Sequence, residues 1–146
     1  MSKAQELADL LARHRDERVL VVGTSCAGTS TLARQIDGTV DAGDVVSPGL
    51  TPEEKAIVYA DVWTPEVGRT VQHLVARHLA VEKGTPVFAT VVFDADLLVH
   101  LRISDALLAE RVALRRASLT NGLGMRRQLE EDIQLSGLPV IEFFLD

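Results

Sequence analysis

The sequence predicts an α/β domain built on a mostly parallel sheet. The continuous apolar run Val19 to Val22 reads as a strand covered on both faces, as strands of a parallel sheet are, and Val87 to Phe93 reads as another buried strand. Between and around them lie stretches whose apolar residues recur at helical spacing. Strand-like and helix-like segments alternate along the whole chain, as right-handed crossovers between parallel strands require.

Each element has its own signal. Ser2 and Gln5 have the spacing of a capping box, and Leu7, Leu10 and Leu11 follow, which predicts a helix over residues 3–15. The charged run Arg13 to Arg18 ends it, and the Val19 to Val22 strand stops at Gly23. After a small, polar stretch, Ser30 to Ile36 reads as a helix with Leu32 and Ile36 on one side. Thr39 to Val46 reads as a second strand, Ser47 to Glu54 as a loop with Pro48, Gly49 and Pro52, and Lys55 to Val62 as a short helix. Thr64-Pro65-Glu66 marks a helix start: a hydroxyl cap, proline at the first position, then an acid near the positive end. Val67, Val71, Leu74, Val75 and Leu79 keep one face apolar, and Gly84 with Pro86 is expected to close that helix. Val87 to Phe93 and Leu97 to Ile103 are the third and fourth strands. Ser104-Asp105 can cap a helix through Ala117, which Ser118 to Gly124 is expected to interrupt. Met125 to Leu135 is then a helix closed at Gly137, and Val140 to Leu145 a fifth strand.

Composition bounds the function. A chain of 146 residues is about one domain, so residues 1–146 are expected to form a single one. With 47% hydrophobic residues it can fill one core. The net charge of −6 argues against a broad nucleic-acid footprint, which needs a basic face. A single cysteine, Cys26, excludes an internal disulfide and fits a reducing compartment. No run approaches the roughly 20 apolar residues of a membrane span, and Met1 to Arg18 has no apolar signal region. The expectation is a cytoplasmic protein with neither a membrane nor a nucleic-acid partner.

Residues 23–30 read Gly-Thr-Ser-Cys-Ala-Gly-Thr-Ser. The phosphate-loop pattern G-x-x-x-x-G-K-[ST] is met at every position but one, and it lies where that loop belongs, between a buried strand and a helix. Its glycines let the backbone wrap closely around an anion, with N–H groups turned inward. Gly23, Thr24, Ser25, Cys26, Ala27, Gly28, Thr29, Ser30 and Thr31 are therefore the candidate nucleotide-binding residues, and the Ser30 hydroxyl the candidate magnesium ligand. The exception is Thr29, where the pattern has the lysine that reaches the β- and γ-phosphates. The bare alternative is a tight glycine turn with no ligand.

The segment "VLVVGTSCAGTSTLARQI" resembles the first strand, phosphate loop and first helix of small P-loop kinases, the adenylate, shikimate, gluconate and uridine kinase groups. "DAGDVV" is similar to their second strand with its substrate-side acid, and "LLVHLRISDALLAERVALRR" to their fourth strand and the arginine-rich helix leading into the lid. The resemblance implies a three-layer αβα P-loop fold with strand order 2-3-1-4-5, ATP and Mg2+ as cofactors, and a small-molecule acceptor. It matches Arg111 and either Arg115 or Arg116 to lid arginines that touch transferring phosphates. Arg111 and Arg115 are four apart and share one helix face. With Arg34, they are candidates to replace the missing lysine charge.

Asp44 is the candidate kinase base, or else a loop acid that caps or is solvated. Asp94 and Asp96 are either a magnesium-water pair or plain surface, and Asp61 is a weaker substrate-side candidate. Cys26 is either a redox-sensitive thiol beside a helix start or a small filler. The four histidines have no metal spacing, and Trp63 reads as core. The family usually continues past the fifth strand into a segment that shapes the adenine site, whereas this sequence ends at Asp146. The base is then expected to be held loosely, by a partner chain such as the second copy in a homodimer, or not at all. Two functions follow: an ATP-dependent small-molecule kinase slowed by the lost lysine, or a pseudokinase that binds nucleotide or phosphate, or supports an oligomer, without chemistry.

Overall fold

The computed structural model describes residues 2–24, 28–58, 63–114 and 118–146. Its strands are β1 (Val19–Val22), β2 (Val40–Asp41), β3 (Val87–Ala89), β4 (Leu97–Arg102) and β5 (Val140–Phe144). They form one sheet in the order β2-β3-β1-β4-β5, and every pairing is parallel. Class and strand order are those expected.

β1 lies at the centre, with Leu20 opposite Val87 on one side and Leu98 on the other. All four of its residues are buried, because their side chains alternate between two covered faces. Leu20 and Val22 face a cluster built with α3 (Ala42–Val46), α5 (Pro65–His78) and α7 (Leu119–Ser136). Val19 and Val21 face a second cluster with α1 (Lys3–Arg13) and α2 (Thr29–Gln35). Truncating a fully buried leucine such as Leu20 to alanine costs about 2–5 kcal/mol.

α1 starts as the sequence indicated: Ser2 Oγ accepts the Gln5 N–H at 3.2 Å, and the Gln5 side chain accepts the Ser2 N–H at 3.4 Å. Elsewhere local chemistry overrides the expected spans. β2 is short because the Asp41 carboxylate accepts the Gly43 N–H at 3.2 Å and turns the chain into α3. The helix expected from Lys55 is α4 (Pro52–Val58). Thr51 and Glu54 exchange N–H hydrogen bonds at 2.9 and 3.2 Å, a capping box that makes Pro52 a helix start. α5 stops at His78, and β3 covers only the first half of the apolar run assigned to it.

α7 is one helix of 18 residues, begun by the Ser118 hydroxyl on the Asn121 N–H and closed at Gly137. Gly122 does not interrupt it. A Cβ there would touch Val112 at 3.5 Å and Leu108 at 3.8 Å, so the bare backbone is where α6 (Asp105–Leu114) packs. Leu108 and Val112 of α6 form a small cluster with Ile103 and Leu123, separate from the two that cover the sheet. Asp105 also takes an ion pair from Arg126 at 2.6 Å.

At the end of the sheet where strands begin, Arg18 grips two acids. Its backbone N–H donates to Asp96 at 2.9 Å, and its guanidinium reaches Asp94 at 2.8 Å and Asp96 at 3.1 Å. The Arg18 guanidinium holds Asp94 below the usual carboxylate range, and the Arg18 backbone N–H followed by its side chain does the same for Asp96. This corrects the magnesium-water reading of the pair. Arg18 and Asp96 immediately precede the paired residues Val19 and Leu97, so the length of β1, about 13 Å, separates them from the loop edge.

His100 of β4 is buried. Burial, then Arg102, lowers its pKa below the ordinary value, against weaker opposing effects of Glu130 and Glu142. The neutral ring is the one the fold favours. Its contribution to stability is therefore complete above the unfolded value of about 6.5 and is lost as pH falls below it. Urea midpoints measured from pH 7.5 to pH 5 are expected to fall through that window, and His100→Leu should flatten the fall. An unchanged slope in the variant would refute this assignment.

Candidate functional site

In a parallel sheet all strands end at the same edge, and ligands bind in the crevice there. That edge collects Gly23 and Thr24 after β1, α3 after β2, Ser104 after β4 and Asp146 after β5. Gly23 N–H donates to the Ala89 carbonyl of β3 at 3.2 Å, which fixes the start of the loop to the sheet. Ser25, Cys26 and Ala27 lie outside the described residues.

The loop's far end is well defined. Gly28 has φ of +85°, in the left-handed region that favours glycine, and it begins α2 with no side-chain cap. Its carbonyl accepts the Leu32 N–H at 2.9 Å. The place where a Cβ would stand is 3.2 Å from Nη1 of Arg111. Glycine is therefore needed twice here, for its backbone angle and for the arginine beside it. Arg111 comes from α6, on the neighbouring crossover, and is half-buried.

Thr24 and Thr29 are buried, Ser30 is half-buried and Thr31 is exposed. Position 29 thus presents a buried hydroxyl, and the cationic group against the loop's second glycine belongs to Arg111. Asp44 is not in a loop after a strand. It stands exposed in the first turn of α3. Because β3 separates β2 from β1, α3 begins about 10 Å to the side of the loop. Arg34 is exposed in the last turn of α2, away from the loop end. Arg115, Arg116 and Asp61 lie outside the described residues.

Two arrangements at this edge have no counterpart in the sequence reading. The Asp146 carboxylate accepts the Ser104 N–H at 2.8 Å and also the Ser104 hydroxyl. Those two bonds, hydroxyl first, hold Asp146 below the usual carboxylate range, helped by Arg111 and Lys3 nearby. The signal for this contact was the topology itself, which carries the end of β5 to the same edge as the end of β4. The second is Gln128 of α7, whose Oε1 accepts the Trp63 indole N–H at 2.9 Å. Its amide lies against Gly68 of α5, where a Cβ would come within 2.5 Å. Trp63 is half-buried against the main core, as expected.

No family model matches the chain, and no curated protein matches it. Among solved structures, a gluconokinase from Sinorhizobium meliloti 1021 aligns with a TM-score of 0.57 over 91% of this chain and 85% of that one, at 14% identity. The two chains share a fold, an all-parallel five-stranded sheet in the order β2-β3-β1-β4-β5 with flanking helices. In this fold Gly23 and Thr24 follow β1, Gly28 begins α2, and α6 is the helix after the fourth strand. Among the described residues no helix is long and apolar enough to cross a membrane, and no cluster of three or more His, Cys, Asp or Glu side chains could hold a metal ion.

Proposed function

We propose that this chain is a single P-loop domain that binds ATP at Gly23–Thr31 and transfers its terminal phosphoryl group to a small hydroxyl compound. The observation that carries the reading is Arg111 Nη1 at 3.2 Å from the Cβ position of Gly28. A guanidinium placed there offers a polyphosphate directed, charge-assisted hydrogen bonds that threonine at position 29 cannot. The bare backbone at Gly28 leaves room for phosphate oxygens. These features fit the cofactor. The Ser30 hydroxyl would be the protein ligand of Mg2+, which when bound would draw charge from the phosphate oxygens. Asp44, exposed at the same edge, would accept the proton of the acceptor hydroxyl, and Arg115 would join Arg111 on the phosphates.

A second reading has its own observation. Thr29 is buried and uncharged, so a transition state at this loop lacks the cation that the P-loop pattern supplies. The same site would then bind nucleotide and hold it without turnover.

Calorimetric titration with MgATP separates these readings from the bare glycine turn. The unaltered protein is expected to bind, and Arg111→Gln to weaken binding by about tenfold or more, the scale of one charged hydrogen bond. Absence of binding by the unaltered protein would sink both nucleotide readings. With binding established, phosphoryl transfer across a panel of small hydroxyl compounds, lost in Asp44→Asn at unchanged ATP affinity, supports the kinase. Binding with no transfer to any of them supports the second reading.

A further inference from the structure

Arg111 reaches the loop from α6, a helix that packs on α7 at Gly122 and is paired to it through Asp105 and Arg126. α6 contributes only Leu108 and Val112 to buried clusters among its described residues, and their cluster is the small one outside the sheet core. What ties the start of α6 to the sheet is Ser104. The Ser104 hydroxyl accepts the Leu107 N–H at 3.1 Å and so caps the helix. The same hydroxyl, together with the Ser104 N–H, donates to the Asp146 carboxylate. Asp146 in turn follows Leu145, whose N–H donates to the Arg102 carbonyl at 2.9 Å, extending the β4–β5 pairing to the end of β5.

A continuous series of contacts therefore runs from the edge strand through Asp146 and Ser104 into α6. Arg111 is seven residues beyond Ser104. At about 100° per residue, two turns bring it back to within about 20° of the same face, about 10 Å along the axis. The face of α6 that Asp146 holds is the face that presents Arg111 to Gly28.

We propose that Asp146 is a positioning residue for the polyphosphate site: through Ser104 it sets where α6 places Arg111, without touching the ligand itself. The inference rests on the nucleotide reading above and names a residue on which its affinity depends. It also carries a sign that simple electrostatics opposes. Asp146 is a negative charge near an anion site, so neutralising it would tighten polyphosphate binding if charge alone mattered. Positioning requires the reverse, because loss of the carboxylate releases Ser104 and with it the register of Arg111; Ser104→Ala, which keeps the attraction between Asp146 and Arg111, isolates the path through Ser104.

The test is calorimetric titration of the full chain with MgATP and, separately, with magnesium tripolyphosphate, which carries the phosphates without a nucleoside. Asp146→Asn and Ser104→Ala are each expected to weaken both ligands by about threefold to tenfold, the range of coupling through a neighbouring residue. Thermal melts identify any variant that has lost its fold, and Ser104→Ala carries the test if Asp146→Asn has. In the Arg111→Gln background the same substitutions should cost nothing further, since their effect runs through that guanidinium. Tighter binding by Asp146→Asn, or losses that add to that of Arg111→Gln, would overturn the proposal. Unchanged affinity in both variants, beside clear weakening by Arg111→Gln, would overturn it while leaving the nucleotide site intact. If the unaltered protein binds neither ligand, the site reading fails and this inference fails with it.

Discussion

Thr29→Lys is expected to tighten MgATP binding by about one to two orders of magnitude, the value of a new charged hydrogen bond to phosphate. Thr29 opens α2 next to Gly28, and its side chain is only 5% exposed. A lysine at the helix start could lay its methylene stem along the buried surface and carry its ammonium out to the phosphates. The size of the gain reports on Arg111. A gain of less than about threefold would mean that the guanidinium already occupies the place where the lysine charge acts, since like charges crowded there offset one another. In that case Arg111→Gln in the Thr29→Lys background should lose little, whereas in the unaltered protein it loses much. If Thr29→Lys folds, by its melting curve, and shows no tighter binding with or without Arg111, the loop is not a phosphate site. Calorimetry on four proteins, the two single variants, the double and the parent, covers all of these outcomes.

Gly28→Ala is expected to lower stability by about 1–2 kcal/mol, because an L-residue is strained at a left-handed φ. It should also weaken MgATP by about threefold to tenfold, since a 3.2 Å approach to Nη1 makes the guanidinium shift by a few tenths of an ångström beside the loop. Gly38→Ala is the control. Its φ is +79° and nothing lies within 4 Å of its Cβ position, so it should show the strain without the binding loss. Urea titration measures the first effect and calorimetry the second. Equal binding losses in both variants would mean that the Gly28 effect is only destabilisation.

Much of this architecture is legible in the sequence, because it rests on signals that act locally. The capping box of Ser2 and Gln5, the Thr64-Pro65 start of α5 and the unbroken apolar β1 each declare themselves within a few residues. The loop's position between β1 and α2 is readable for the same reason. What is misread depends on partners distant in sequence. Gly122 reads as a breaker until Val112 and Leu108 are seen packed on it. Asp94 and Asp96 read as either a magnesium-water pair or plain surface acids until Arg18, 76 and 78 residues away, is found between them. Asp41 hides the end of β2 because its carboxylate serves as a helix cap. Within the site, resemblance to lid helices points to Arg111, and its approach to Gly28 follows from how α6 packs. The link between Ser104 and Asp146 depends on the β4–β5 pairing, which no local pattern displays.

The small cluster of Leu108, Val112, Ile103 and Leu123 has a consequence for energetics. The second half of α7 is rooted in the main core through Leu129 and Ile133, whereas among the described residues α6 packs through those four side chains and the Asp105–Arg126 ion pair. Local opening free energies follow such contact density, so α6 is expected to open at less cost than unfolding the sheet. A polyphosphate bridging Gly28 and Arg111 would close that helix as it binds. Part of its intrinsic affinity is then spent on closure, and the observed dissociation constant is the intrinsic one divided by the fraction of molecules already closed. Rigidifying the α6–α7 hairpin would raise affinity without adding a single contact to the ligand.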